Sequence, residues 1–264
     1  MIDQSGTGVS REALTSTENP VSIQSLLAAM LLAALLAGNV VSLQAFVIVV
    51  TGVAALWVWD LSDFARRQST PINPYPLLVA VATTAWGSYR WGFDGFAVAT
   101  VLAVMVTLVW AVFVPGERGL QRMASTALGA LLVAVAVGPL VLLRMRSDVE
   151  VNAFLFIMAA ALVASLVALF FQDRLPLLDP NIAGLAAAAL AGLIAGSVSS
   201  LSLSVTFVAA VSAAGGLVAG RTAGSLLRSG QIMLLERAPG SLTLMDGPLT
   251  AAGIYWLSVI VLSA

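Results

Sequence analysis

Residues 23–59 read IQSLLAAMLLAALLAGNVVSLQAFVIVVTGVAALWVW, without one Asp, Glu or Arg. The hydrocarbon core of a bilayer takes roughly 20 apolar residues per helix, and this run is about twice that length. Gly38-Asn39 near its middle predicts a turn, and so a hairpin of two membrane-spanning helices over 22–38 and 40–59. Trp57, Trp59 and Asp60 close the run with the aromatic edge that marks a membrane interface.

The same character holds through the chain. Of its 264 residues 60% are hydrophobic and 9% charged, with mean hydropathy +1.01. A soluble domain carries about 25% charged residues, so this chain cannot clothe its own surface in water. The composition implies a polytopic, all-α membrane protein. Cysteine, histidine and lysine are absent, and all twelve basic residues are arginine. Thiolate nucleophiles, imidazole bases, Schiff-base lysines and a P-loop lysine are thereby excluded. A net charge of -1 argues against a nucleic-acid partner. Met1 to Pro20 is polar, with Asp3, Arg11, Glu12 and Glu18, and lacks the basic start and short apolar core of a signal peptide. Residues 1–21 are expected to form a disordered cytoplasmic tail ahead of a single transmembrane domain over 22–264.

Beyond the hairpin, apolar runs predict spans over 75–90, 94–114, 123–143, 151–171, 181–197, 200–219 and 248–263, nine in all. Asp60 to Pro74 reads as a polar loop. The tail and the loops after the second, fourth, sixth and eighth spans hold Arg11, Arg66, Arg67, Arg118, Arg122, Arg174, Arg221, Arg228 and Arg237, whereas the opposite side holds Arg90, Arg144 and Arg146. Arginine concentrates on the cytoplasmic side, which predicts a multi-pass plasma-membrane protein with its N-terminus in the cytoplasm and its C-terminus outside. The spans carry almost no ionisable side chain, which weakens the case for a proton-coupled transporter or ion pump.

Glycines recur at helical spacing. Gly192 and Gly196 form one GxxxG, and Gly216, Gly220 and Gly224 repeat the interval. Such spacing lets helix backbones approach closely, and packing within the chain is the expected use. The one long polar interruption of the second half, Gly220 to Asp246, is expected to be an ordered loop or short interfacial helix on the cytoplasmic face. It is the place where a site belongs. Asp246, just ahead of Pro248, is suited to cap the last helix.

Nine spans, a hairpin start and a polar stretch before the last helix resemble the phosphatidate cytidylyltransferase (CDP-diacylglycerol synthase) family. Trp59-Asp60-Leu61 through Ala65-Arg66-Arg67 is similar in style to actinobacterial members, as is Leu108-Val109-Trp110. Of the family's C-terminal signature, Gly220, Ser225, Pro239, Gly240 and Asp246 coincide and Arg228 replaces a lysine. The departures are as informative. Arg221 stands for an Asp, Gly224 for a Glu, and Ser241-Leu242-Thr243 for His-Gly-Gly, and the Lys-Asp pair is missing.

The resemblance implies a remnant motif of Ser225, Arg228 and Asp246, with possible phosphate contacts at Arg221, Arg228 and Arg237. Cytidylyl transfer joins two anions and needs a divalent metal and cationic side chains. Magnesium is held by one or two carboxylates plus substrate phosphates, and Asp246 is the only family carboxylate left. The expectation is a catalytically silent relative that needs no cofactor and binds a lipid, a membrane-protein partner or a second copy of itself. The alternatives are an active, divergent, Mg²⁺-dependent cytidylyltransferase making CDP-diacylglycerol, and a small-solute transporter or scaffold unrelated to the family.

Overall fold

A backbone in hydrocarbon has no water to bond its N–H and C=O groups, so it satisfies them within helices or closed barrels. This chain takes the helical solution. The computed structural model describes residues 20–67, 72–113, 119–171, 179–199, 201–231 and 240–263. They form α1 (Pro20–Val41), α2 (Leu43–Arg67), α3 (Pro74–Phe113), α4 (Gly119–Arg146), α5 (Asp148–Phe171), α6 (Pro180–Val198), α7 (Leu203–Ser229), a 3-10 turn (Thr243–Met245) and α8 (Asp246–Ser263), with no strand among the described residues. Eight of these helices are long and apolar enough to cross a membrane. The protein is therefore an all-α polytopic membrane protein. The tail over residues 1–19 lies outside the described residues.

The expected count of nine spans meets eight helices because α3 contains two of them. Its 40 residues would reach about 60 Å if straight, twice the roughly 30 Å of a hydrocarbon core. The helix is broken at Gly92, whose φ of 61° and ψ of -137° are not helical. The arms fold back on each other. A Cβ added to Gly87 would lie 3.2 Å from the Cβ of Ala99, and one added to Gly95 only 2.0 Å from the Gly87 carbonyl oxygen. Residues twelve apart could not meet so in a straight helix.

Three boundaries differ from the sequence reading. The first turn comes at Ser42, whose Oγ accepts from Ala45 N (3.0 Å), and not at Gly38-Asn39. Gly38 stays helical and lets Val49 come close, while buried Asn39 donates to Asn152 Oδ1 (2.8 Å) and Asp148 O (3.2 Å). Helix α2 runs on through Asp60 to Arg67, because Leu61, Ser62 and Ala65 keep a buried face there. An Asp63–Arg67 pair (2.6 Å) lines its exposed side. Helix α7 runs ten residues past the expected end, through Gly220 and Gly224 to Ser229, and closes on left-handed Gly230.

Two polar ends emerge from these contacts. At one, Arg144 donates to Asn39 O (3.2 Å), Arg146 to Ser263 Oγ (2.7 Å) and Gln44 to Tyr89 Oη (3.2 Å). They bring together the α1–α2 turn, the α3 bend, the α4–α5 turn and the end of α8. At the other, Gln24 Nε2 donates to Gly240 O (2.8 Å) and Asn73 N to Thr126 Oγ1 (3.2 Å). That end gathers the start of α1, the α2–α3 turn and the segment entering α8.

Candidate functional site

Three elements converge at the second end on one guanidinium. Helix α2 places Trp57 and Asp60 three residues apart, on one face. Helix α7 brings Arg228 in from its last turn, and α8 opens with Asp246. Arg228 Nη1 donates to Asp246 Oδ2 in a very short contact, and Nη2 donates to Asp60 Oδ2 (3.1 Å). Trp57 Nε1 donates to the other oxygen of Asp246 (2.6 Å). Arg228, Asp246 and Trp57 are wholly buried, and the Asp60 side chain is 9% exposed.

Ser241 and Leu242, just ahead of the 3-10 turn, close over Asp60. Ser241 N donates to its Oδ1 (2.9 Å) and Leu242 N to its Oδ2 (3.2 Å). Two glycines make this possible. Gly240 has a φ of +129°, and a Cβ there would sit 2.9 Å from both Arg228 Nε and Asp60 Oδ2. On α7 a Cβ at Gly224 would lie 2.0 Å from Asp246 Oδ2. The missing side chain at Gly224 is what admits the carboxylate of Asp246.

These carboxylates have no room to hold a metal. Both oxygens of Asp246 are taken, by Arg228 and Trp57, and those of Asp60 by Arg228 and two backbone N–H groups. A Mg²⁺ ion wants carboxylate oxygens facing open coordination positions, so this donor set does not fit it. Among the described residues no group of three or more His, Cys, Asp or Glu could hold a metal. A guanidinium, permanently charged and planar, stands between the two acids instead.

The other expected residues fall around this centre. Ser225 is buried and its hydroxyl donates back to Thr222 O (2.9 Å), within its own helix. Arg221, one turn before Ser225 on α7, is 8% exposed. Its Nη1 makes long contacts to Ser165 Oγ on α5 (3.3 Å) and Asn181 Oδ1 on α6 (3.4 Å), while Nε and Nη2 are buried without a hydrogen-bond partner. Arg237 lies outside the described residues. Asp246 is not a cap. Its backbone is helical (φ -56°, ψ -46°) and its side chain turns inward to Arg228 and Trp57, because a desolvated cation there outbids the helix N–H groups.

The expected spans are almost free of charge, but the helices run past them and carry buried ionisable groups there. Asp60, Arg221 and Arg228 all belong to membrane-length helices, as does Glu150, buried on α5 and paired with Arg146 (2.9 Å). The reading from sequence missed Asp60 as a partner of Arg228, and it missed Trp57, Gln24 and Ser165. Trp57 and Asp60 were visible as an interface edge, and nothing local tells such an edge from one half of a buried ion pair.

Comparison with protein-family models, with curated proteins and with solved structures finds no match to this chain.

Proposed function

We propose that this protein is a catalytically silent, cytidylyltransferase-like membrane protein that serves as a lipid-binding or partner-binding subunit. The observation that carries the reading is Arg228, which occupies with its own charge the space between Asp60 and Asp246. A phosphoryl- or nucleotidyl-transfer site keeps carboxylates available for metal and cations available for the transferring group. Here each neutralises the other. Ser225, turned back into its helix, offers no nucleophile. In this reading the arginine-rich end with Gly240 and Arg228 faces the cytoplasm, the C-terminus lies outside, and the membrane is the plasma membrane.

The test is an assay of purified protein with CTP, phosphatidate and Mg²⁺, run beside an active cytidylyltransferase. The expected result is no CDP-diacylglycerol above background, together with stoichiometric phospholipid or one defined protein after purification in mild detergent. Turnover would restore the divergent-enzyme reading. A preparation free of both lipid and protein would remove the subunit role.

A further inference from the structure

Arg221 is more than nine-tenths buried, and two of its three side-chain nitrogens have no hydrogen-bond partner among the described residues. The two unpartnered nitrogens are Nε and Nη2, which lie along one edge of the guanidinium. That edge is the fork that takes two oxygens of a phosphate or carboxylate side by side. Nη1 on the far corner is tethered to Ser165 Oγ and Asn181 Oδ1, so the fork is held in a fixed direction. Leaving a buried cation's donors empty is costly, and a chain that keeps them so has prepared a seat for an acceptor.

The surroundings fit that role. Ser165 is wholly buried on α5, and its hydroxyl accepts from Arg221 while keeping its own proton to donate. Asn181 is partly exposed and brings a side-chain NH₂ to the same cluster. The N–H groups of Asn181 and Ile182 are already taken by Asp179 (2.7 and 3.2 Å), so the start of α6 is not itself the seat. Gly184 lets α6 pack closely against α5 beside Ser165, since a Cβ there would lie 2.5 Å from Ser165 Oγ. Arg221 sits about 12 Å along α7 from its end at Ser229. Asp246 is its electrostatic neighbour, but both oxygens of that carboxylate are engaged elsewhere.

We propose that Arg221, with Ser165 and Asn181, forms a binding site for a phosphoryl oxyanion at the polar end of α5, α6 and α7. It stands on contacts that the silent-enzyme reading does not use. CTP turnover would leave it intact, and failure to bind phosphate would leave the silence of Asp60, Arg228 and Asp246 intact.

The test uses the full chain in neutral detergent, titrated with inorganic phosphate at matched ionic strength and, separately, with phosphatidate, with the rise in Tm and bound phosphorus as readouts. Saturable binding of both supports a site for the phosphoryl group alone, and binding of phosphatidate only supports a lipid headgroup. Arg221→Lys keeps the charge but loses the fork, and is expected to weaken binding about tenfold or more. Ser165→Ala is expected to weaken it by less, and keeps the test decisive if the Arg221 variant fails to fold. Arg67→Gln, on the exposed side of α2, is expected to bind like the parent. No saturable binding of either ligand would overturn the proposal, as would binding that neither the Arg221 nor the Ser165 change weakens.

Discussion

Arg228 is held by two acids, and the energetics are those of a buried ionic triad. Taking one charge from such a group leaves the rest desolvated and uncompensated, at a cost of about 3–5 kcal/mol. Arg228→Met, which leaves Asp60 and Asp246 facing each other, is therefore expected to destabilise the protein by about 4 kcal/mol, read as a fall in Tm in detergent. Pairing it with Asp246→Asn relieves the repulsion, so the double variant is expected to be more stable than Arg228→Met alone. A double variant no better than that single one would show that the carboxylates do not interact. Trp57→Phe loses a hydrogen bond to a charged acceptor and should cost about 2 kcal/mol. At this scale the sequence was half legible. Arg228 and Asp246 stood out as polar residues in an apolar half. Asp60, 168 positions from Arg228, had only its place beside Trp57 and Trp59 to mark it, and pairing over that separation is set by how helices pack.

Glycine is where helices and sequence reading part company. Read as a breaker, Gly220 ends a span. In the structure it is one of three glycines on α7 that let α8 approach. A Cβ at Gly216 would lie 3.1 Å from Ala251 Cα, one at Gly220 would lie 1.6 Å from Thr250 Oγ1, and one at Gly224 would meet Asp246. Gly192 does the same between α6 and α7, where its Cβ would lie 2.4 Å from that of Ala210. The four-residue spacing was legible, and so was its use for close packing. That the helix continues through it was not, because helix propensity measured in water penalises glycine while a lipid-embedded backbone has no alternative to its own hydrogen bonds. Gly220→Ala should cost about 2 kcal/mol from overpacking. Gly215→Ala, on the same helix with nothing within 4 Å of the added Cβ, should stabilise by about 0.5 kcal/mol. Thermal unfolding of the two variants side by side checks both signs, and equal effects would contradict the packing described.

For the molecule as a whole, hydropathy predicts nine crossings, and the described residues form eight membrane-length helices, one of them bent into two arms. Among the described residues nine arms, counting the two of α3, alternate between two polar ends, so Pro20 and Ser263 lie at opposite ends, and nine crossings would put them on opposite sides of a bilayer. Arg66, Arg67, Arg122, Arg221 and Arg228 gather at or near the end that holds Gly240, whereas Arg90, Arg144 and Arg146 belong to the other. The bias has the sign of the positive-inside rule. The chain has no cysteine, so single cysteines can report each end without further engineering. Trp91→Cys, beside the α3 bend, and Ser147→Cys, between α4 and α5, are expected to react with a membrane-impermeant maleimide in intact cells. Arg67→Cys at the end of α2 and Gly119→Cys at the start of α4 are expected to react only after permeabilisation. The decisive position is Trp91. Both arms of α3 cross the membrane only if position 91 labels from the side opposite to positions 67 and 119. Labelling from their side would make α3 a re-entrant hairpin, reduce the crossings to seven and leave the termini opposed, so that the bend at Gly92, and not the count of helices, fixes how this protein threads the bilayer.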